Sequence, residues 1–210
     1  MAESARFVKV CGVTRLEDAL FAVDAGAQAI GVNLVPASSR RVDLSAAKRI
    51  ADAVSDRALV VAVVADLSVS EMKDIRASTG IEWLQLHGGE SNGTLSELLP
   101  HAFKAVRIGS ASDAALADSF DGARVLVDAK VSGQLGGTGA TFAWSLVRGL
   151  SKSRQVILAG GLSPENVREA IRVVNPWGVD VASGVERQPG IKDPLKVLAF
   201  IEAVRGSAAA

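Results

Sequence analysis

One short stretch sets the pattern that repeats along the chain: Phe7-Val8-Lys9-Val10-Cys11-Gly12. A nearly continuous apolar run followed at once by glycine is typical of a strand that is buried on both faces and ends in a loop. Cys11, the only cysteine, stands where this strand would end. Thr14 and Glu17 then have the spacing of a capping box, which predicts that a helix follows. The stretch therefore predicts one β-strand–loop–α-helix unit.

The same alternation runs through all 210 residues. The predicted strands are 7–11, 28–33, 58–64, 82–86, 103–108, 123–128, 154–159 and 178–182. The predicted helices are 15–25, 44–54, 69–79, 92–99, 111–118, 141–149, 164–174 and 193–204. Eight such units without a break in composition predict an α/β fold, a single (β/α)8 TIM barrel domain over 1–210. The structural alternative is a doubly wound sheet, which usually has about five or six strands.

Several helix ends carry local signals. Ser163-Pro164 and Asp193-Pro194 each predict an N-cap with proline at the first helical position. Gly26 and Gly80 each follow a predicted helix and indicate its C-terminal end. These signals support the helix boundaries independently of the apolar periodicity.

Composition narrows the classes of function. Hydrophobic residues make up 49% of the chain, and 23 basic side chains balance 23 acidic ones. That balance favours neither a nucleic acid partner nor a membrane surface. No apolar run reaches the ~18 residues of a membrane span, and 1–6 lacks a signal-peptide pattern. One cysteine cannot form an internal disulfide, so we expect a cytoplasmic protein.

Two predicted strands end in side chains able to move protons. Cys11 ends the first strand, and Asp128 ends the sixth, after Val125-Leu126-Val127. In a (β/α)8 barrel this rim carries the chemistry, so a thiol and a carboxylate there make a plausible base and acid. Each also has a structural interpretation, because a lone cysteine often packs as a small hydrophobic residue and an aspartate can cap a loop.

Glycines cluster after the last three predicted strands, in 136–139, 160–161 and 183–184. Such loops let backbone N–H groups approach an anion, and phosphate sites in barrels favour the loops after strands seven and eight. Glycine also serves ordinary tight turns, so one such loop alone would be weak evidence. Together they predict a phosphate site that includes Gly137, Gly139, Gly160, Gly161, Ser183 and Gly184.

Three further polar residues have two interpretations each. Arg40 could bind a carboxylate through two parallel hydrogen bonds, or could simply be solvated. Asp180 is either part of the site or a buried, hydrogen-bonded structural group. His87 could pair with Cys11 in a hydrolase, but no oxyanion hole can be nominated for one. Two histidines and one cysteine form no metal-ligand pattern, and no dinucleotide or P-loop motif occurs, so neither metal nor cofactor is predicted.

The motifs, taken in order, resemble those of the phosphoribosylanthranilate isomerase family. The matching segments are 9–14, 18–19, 26–27, Gly31, 39–42, 84–88, 126–128, 136–139, Phe142, 160–162, 164–167, 179–181, 183–186 and 189–193. This resemblance covers essentially the whole chain. It implies a (β/α)8 barrel that catalyses an Amadori rearrangement in tryptophan biosynthesis without a cofactor. A small phosphorylated substrate and a monomer or homodimer are the expected partners, with no nucleic acid and no membrane.

The resemblance also implies residue roles. Cys11 takes the place of the general base and Asp128 that of the general acid. Arg40 matches the arginine that holds the anthranilate carboxylate, and the glycine loops match the phosphate grip. Asp180 matches an assisting carboxylate close to the substrate, and His87 is assigned to substrate binding.

Three positions depart from the family pattern. Ala182 precedes Ser183 where a second serine is usual, which removes a hydroxyl near the phosphate but leaves the backbone donors. Ala143 precedes Trp144 where aspartate is common, which we interpret as a local change in capping. Asn33 and its neighbours stand where aromatic residues are favoured, which would alter packing near the anthranilate ring.

Two other functions remain open at this stage. The histidine-pathway sugar isomerase runs the same rearrangement on a related barrel, typically with aspartates as both acid and base. Cys11 favours the tryptophan enzyme, and so does the single phosphate grip, because the histidine-pathway substrate has two phosphates. An enzyme that accepts both substrates is a variant of this alternative. A non-catalytic phosphoribosyl-binding barrel is disfavoured, because binding alone needs neither Cys11 nor Asp128.

Overall fold

In the computed structural model, which describes residues 6–128 and 144–207, eight parallel strands close into a barrel in chain order. They are β1 (Phe7–Cys11), β2 (Ala29–Asn33), β3 (Leu59–Val64), β4 (Trp83–Leu86), β5 (Ala102–Arg107), β6 (Arg124–Asp128), β7 (Gln155–Ala159) and β8 (Gly178–Val181). The barrel closes where β1 pairs with β8, with Lys9 opposite Asp180. The predicted (β/α)8 fold is confirmed, and the doubly wound alternative is wrong.

Helices connect the strands. They are α1 (Leu16–Ala25), α2 (Leu44–Val54), α3 (Val69–Thr79), α4 (Asn92–Ser96), α5 (Ala111–Ser119), α6 (144–147), α7 (Val167–Val174) and α8 (Pro194–Arg205). Among the described residues, each predicted strand and helix is found, with ends that differ by at most three residues. The predicted helix 141–149 lies partly outside the described residues.

Apolar side chains form two layers. On β1, Val8 and Val10 belong to the larger layer, in which the barrel packs against the helices. Phe7 belongs to the smaller layer, which fills the barrel with residues such as Phe103 and Leu126. Because side chains alternate between the two faces of a strand, the residues two and four positions after Phe7 also point inward. These inward positions are occupied by Lys9 and Cys11.

Two predicted N-caps are wrong. α1 begins at Leu16, and the hydroxyl of Thr14 donates to the carbonyl of Gly190 at 2.6 Å instead of capping the helix. α7 begins at Val167 rather than at 164, because 164–166 form a turn. At α1 the Thr14 hydroxyl thus bonds outside the helix, and at α7 the N-cap residue Asn166 makes no side-chain hydrogen bond to the helix.

The side chain of Asn166 closes the turn before α7. Its Oδ1 accepts from the N–H of Ser163 at 2.8 Å, and its Nδ2 donates to the carbonyl of Gly161 at 2.9 Å. This side chain therefore determines the shape of the loop that follows β7.

The other predicted helix ends are confirmed. The Asp193 side chain caps α8, accepting from two backbone N–H groups, and Pro194 is its first residue. Gly26 and Gly80 end α1 and α3 in the left-handed conformation, at φ 109° and 73°.

A short antiparallel hairpin that the sequence pattern did not predict follows β8. Its strands are β9 (Glu186–Gln188) and β10 (Ile191–Lys192). Gly190, at φ 84°, lies in the turn between them. The hairpin brings Glu186 and Lys192 to the rim where the barrel strands end.

Within the described residues, no helix is long and apolar enough to cross a membrane.

Candidate active site

A cavity of about 240 Å³ opens at the C-terminal ends of the barrel strands. Eight of the predicted site residues line it, namely Cys11, Arg40, His87, Asp128, Gly160, Gly161, Asp180 and Ser183. Asn33 and Ala182, which depart from the family pattern, line it too. Gly184 lies beside it, in the turn that follows β8. Gly137 and Gly139 lie outside the described residues.

The strand ends account for this convergence. Parallel strands present their C-terminal ends on one rim, so Cys11 on β1 and Asp128 on β6 reach one cavity although they are 117 positions apart in the sequence. Cys11 is only 9% exposed, whereas Asp128 is partly exposed. Cys11 and Asp128 thus place a thiol and a carboxylate beside a common space.

Lys9, which the sequence analysis assigned no role, lies completely buried inside the barrel. Its Nζ donates to Oδ1 of Asp180 and to Oε1 of Gln85, both at 3.0 Å. Asp180 thus lines the cavity and is also part of a buried ion pair.

His87 is oriented through the same contacts. An ammonium can only donate, so the Gln85 oxygen faces Lys9 and the Gln85 Nε2 donates to Nδ1 of His87 at 3.0 Å. The His87 proton is then on Nε2. Burial lowers the pKa of His87, so the ring is neutral at neutral pH and can donate one hydrogen bond. Among the described residues, the contact of the ring is with Gln85 and not with Cys11, which removes support for a hydrolase pair.

Burial raises the pKa of the Cys11 thiol above its ordinary value. The charges of Lys9 and Lys192 lower the thiol pKa, and the charge of Asp180 raises it. Because burial prevails, the thiol is protonated at neutral pH in the free protein. A base at this position therefore needs a further positive charge to ionise readily.

Arg40 is held by a carboxylate from the hairpin. Its Nε and Nη2 donate to the two oxygens of Glu186 at 2.8 and 2.7 Å. Lys192 donates to the same carboxylate at 2.9 Å and to the carbonyl of Cys11 at 2.6 Å. Arg40 is therefore not merely solvated, because its guanidinium is fixed at the cavity by an ion pair.

The glycine loops after β7 and β8 approach each other closely. Gly160 and Gly161 have φ of 94° and 68°, a backbone conformation that residues with side chains rarely adopt. A Cβ on Gly184 would lie 1.9 Å from the carbonyl oxygen of Leu162, whereas one on Gly161 would meet open space. The two loops thus pack against each other and leave room above Gly161.

Sequence reasoning missed four residues of this network: Lys9, Gln85, Glu186 and Lys192. Lys9 precedes Cys11 by two positions and Gln85 precedes His87 by two, so strand periodicity could have placed each pair on one face. Glu186 and Lys192 lie in segments that match the family, but no strand periodicity placed them at the site, because the hairpin that carries them was not predicted.

The chain matches known proteins over nearly its whole length. The model of the family described as N-(5'phosphoribosyl)anthranilate (PRA) isomerase matches residues 8–203.

The chain belongs to the phosphoribosylanthranilate isomerase family.

A relative from Pseudomonas fluorescens (strain SBW25), named N-(5'-phosphoribosyl)anthranilate isomerase, is 43% identical over 205 residues, which cover 96% of this chain and 97% of the relative. The crystal structure of phosphoribosyl anthranilate isomerase from Thermotoga maritima is 37% identical, covers 96% of this chain and 99% of its own, and has a TM-score of 0.87. Membership of this family confirms the resemblance seen in the sequence and makes the chain an isomerase.

A second solved structure of a phosphoribosyl anthranilate isomerase holds reduced 1-(o-carboxyphenylamino)-1-deoxyribulose 5-phosphate. It is 34% identical, covers 96% of this chain and 99% of its own, and has a TM-score of 0.84. A member of the family with the same fold therefore binds a phosphorylated compound.

Proposed function

We propose that this chain converts N-(5-phosphoribosyl)anthranilate to 1-(2-carboxyphenylamino)-1-deoxyribulose 5-phosphate, the Amadori rearrangement of tryptophan biosynthesis. One observation carries the proposal: Cys11, Asp128, Arg40 and the glycine loops after β7 and β8 line a single cavity. This set combines a base, an acid, a cation for a carboxylate and backbone donors for a phosphate. The rearrangement requires the base and the acid, and the two charged groups of the substrate require the cation and the backbone donors.

The reaction starts at the ribose ring. Asp128, as the carboxylic acid, donates a proton to the ring oxygen while the bond from that oxygen to C1′ breaks. The nitrogen lone pair forms the C1′=N bond, so the product of this step is an open-chain protonated Schiff base. Acid catalysis is needed because the ring oxygen would otherwise leave as an alkoxide.

The second step uses the base. The Cys11 thiolate takes the C2′ proton, and the electrons of that C–H bond form a C1′=C2′ bond while those of C1′=N return to nitrogen. The enolamine then loses its C2′ hydroxyl proton, gains one at C1′ and becomes the ketose. Because burial raises the pKa of the Cys11 thiol, the positive iminium of the Schiff base is the charge that favours ionisation at this stage.

The other residues bind and orient the substrate. Arg40 holds the anthranilate carboxylate on the Nη1 side of its guanidinium, since Glu186 already occupies Nε and Nη2. The loops at Gly137, Gly139, Gly160, Gly161, Ser183 and Gly184 bind the phosphate. His87 donates from Nε2 to a substrate hydroxyl, and Asp180 lies close to the reacting carbons. The chemistry needs no cofactor and no metal.

We also propose that the chain is a cytoplasmic, single-domain enzyme that acts as a monomer or homodimer, without nucleic acid or membrane partners. Light scattering on the purified protein would measure the oligomeric state.

The decisive experiment is turnover of phosphoribosylanthranilate, followed by fluorescence. Each positioned acid or base typically contributes ~10²–10⁴-fold, so Cys11→Ser and Asp128→Asn should each lose at least that much turnover. Substrate binding should survive better, because neither side chain holds the carboxylate or the phosphate.

Two results would contradict this function. Wild-type turnover by a folded Cys11→Ser variant would make the cysteine a packing residue. Turnover of the histidine-pathway aminoaldose by the wild type, without turnover of phosphoribosylanthranilate, would assign the chain to the other pathway. Turnover of both substrates would make it a dual-substrate enzyme.

A further inference from the structure

Lys9 is a buried cation at the centre of the barrel, directly below the proposed base. Its side chain is completely buried and is among the largest of the fully buried side chains in the described part of the chain. A buried ammonium is costly unless its N–H donors are satisfied. Asp180 and Gln85 accept hydrogen bonds from two of its three N–H groups, each with an N–O distance of 3.0 Å.

The Lys9 ammonium also lies beside Cys11. Lys9 and Cys11 are two positions apart on β1, so both point into the barrel. A Cβ on Gly31, the neighbour of Cys11 on β2, would lie 2.7 Å from Sγ of Cys11 and 3.0 Å from Nζ of Lys9. Both atoms therefore occupy the space that a side chain at position 31 would fill.

A purely structural ion pair between Lys9 and Asp180 would not explain this arrangement. Such a pair requires neither a thiol beside the ammonium nor a missing side chain at position 31. Because Gly31 has no Cβ, Nζ of Lys9 and Sγ of Cys11 can lie close to the same space. Their closeness has a chemical consequence. A cation beside a thiol favours the thiolate.

We propose that Lys9 is a positioning residue of the isomerase, whose ammonium, anchored by Asp180 and Gln85, stabilises the thiolate of Cys11. This inference rests on the proposed function, in which the Cys11 thiolate takes the C2′ proton. Without Lys9, the thiolate would form beside the Asp180 carboxylate, with one fewer cation to balance the two anions.

Other charged groups also face Cys11. Lys192 on β10 and Arg40 in the loop after β2 add positive charge, and Asp180 on β8 adds negative charge. The cavity also presents Asp128 from β6 and His87, which directly follows β4, and Glu186 on β9 lies behind Arg40. Lys9 differs from the other two cations because it lies on the strand of Cys11, on the same inward face.

The chain permits a direct titration of the thiol. It has one cysteine and no tyrosine, so the rise in ultraviolet absorbance on thiolate formation reports Cys11 without a tyrosinate signal. Cys11→Ser supplies the blank. The test compares the wild type with Lys9→Met in two measurements. One is the titration of the thiol in the full-length free enzyme, and the other is the pH profile of turnover.

Lys104→Met is the matched control. Lys104 is also buried and paired with a buried carboxylate, Glu90, at 3.0 Å, but it faces the carbonyls of Leu86 and Gly88 rather than Cys11. Removing it should cost comparable folding stability without changing the charge beside the thiol.

We expect Lys9→Met to raise the pKa of the thiol by about one pH unit or more, the usual effect of losing a close opposite charge. The alkaline rise in the pH profile of turnover should move upward by the same amount, and turnover at neutral pH should fall about tenfold for each pH unit by which the profile moves. In Lys104→Met the thiol should titrate as in the wild type. A wild-type titration in folded Lys9→Met would overturn the proposal.

If circular dichroism shows that Lys9→Met does not fold, Gly31→Ala gives the answer. It keeps both charges but fills the space that Sγ and Nζ share, so the thiol pKa should again rise, and an unchanged pKa would overturn the proposal. The titration needs no turnover, which separates the two hypotheses. An inactive Cys11→Ser with an unchanged titration in Lys9→Met would remove only the role of Lys9. An active Cys11→Ser would remove the base assignment itself.

Discussion

At the scale of single residues, one missing side chain determines where Arg40 lies. Gly12 has φ +70°, and a Cβ there would lie 2.4 Å from Cδ of Arg40. The aliphatic part of Arg40 therefore crosses the rim directly over the Gly12 backbone. Gly12 thus serves both the turn after β1 and the position of the guanidinium.

We predict that Gly12→Ala weakens substrate binding by displacing Arg40, in addition to a loss of ~1 kcal/mol in stability from strain at positive φ. Gly80→Ala is the matched control, because Gly80 has φ +73° but nothing within 4 Å of its would-be Cβ. Urea unfolding should show a similar loss for both variants, whereas only Gly12→Ala should raise KM. Equal KM values in the two variants would contradict the prediction.

Arg40 itself should act mainly in binding. Arg40→Ala removes a charged contact worth ~1.5–3 kcal/mol, so KM should rise by about tenfold to a hundredfold while kcat changes less. Glu186 keeps Lys192 as a partner at 2.9 Å, which limits the structural damage. Arg41→Ala is the control, since Arg41 is exposed. Steady-state kinetics with unchanged KM in Arg40→Ala would remove Arg40 from the binding site.

At the scale of elements, the β9–β10 hairpin holds Arg40, the cation that we propose binds the substrate carboxylate, at the rim. Glu186 on β9 is 7% exposed and accepts from both Arg40 and Lys192. Burial alone would raise the pKa of the Glu186 carboxyl, but the hydrogen bonds and charges of these two cations lower that pKa below its ordinary 4.5. The ionised carboxylate is therefore the form that the fold stabilises.

We predict an acid-labile contribution to stability from this element. A carboxyl whose pKa is lower in the folded state stabilises the fold fully above its unfolded pKa of about 4.5, and this contribution disappears as the pH falls through the folded pKa. Glu186→Gln should therefore be less stable than the wild type at neutral pH. The difference in the free energy of unfolding should narrow as the pH falls below about 4.5. The measurement is urea unfolding as a function of pH.

Glu169→Gln provides the control for this element. Glu169 also makes two hydrogen bonds to an arginine, Arg172, but on an exposed helix surface, where an ion pair contributes little. Its pH dependence should follow that of the wild type. An equal effect of the two substitutions would contradict the special role of the hairpin carboxylate.

At the scale of the whole molecule, ligand binding should stabilise the closed barrel. The loops that we propose as the phosphate site are formed only in the folded chain, so inorganic phosphate at about ten times its Kd should add ~1.4 kcal/mol to the free energy of unfolding. Thermal unfolding should therefore show a higher Tm in phosphate than in chloride of equal ionic strength.

Gly184→Ala tests the source of that stabilisation. A side chain at 184 would collide with the carbonyl of Leu162 and displace the loops after β7 and β8. The variant should have a lower Tm, and its Tm should gain less from phosphate than that of the wild type. An undiminished gain in this variant would place the anion elsewhere.

Much of the fold could be predicted because buried parallel strands leave a local trace. Because both faces of such a strand are covered, each strand forms a short apolar run in the sequence. The eight runs indicated the barrel. Gly26, Gly80 and Asp193 were interpreted correctly because these end signals act within a few residues. Thr14 was not, because its hydroxyl bonds a carbonyl 176 residues away.

The rim positions of Cys11 and Asp128 also followed from the sequence alone, because a strand that ends in a polar residue places it at the rim whatever its neighbours are. The ion pairs around these two residues did not follow. Lys9 meets Asp180 across 171 residues, and Arg40 meets Glu186 across 146. Only closure of the barrel between β1 and β8, with the hairpin that follows β8, brings these charges together, so tertiary structure alone determined the electrostatics of the site.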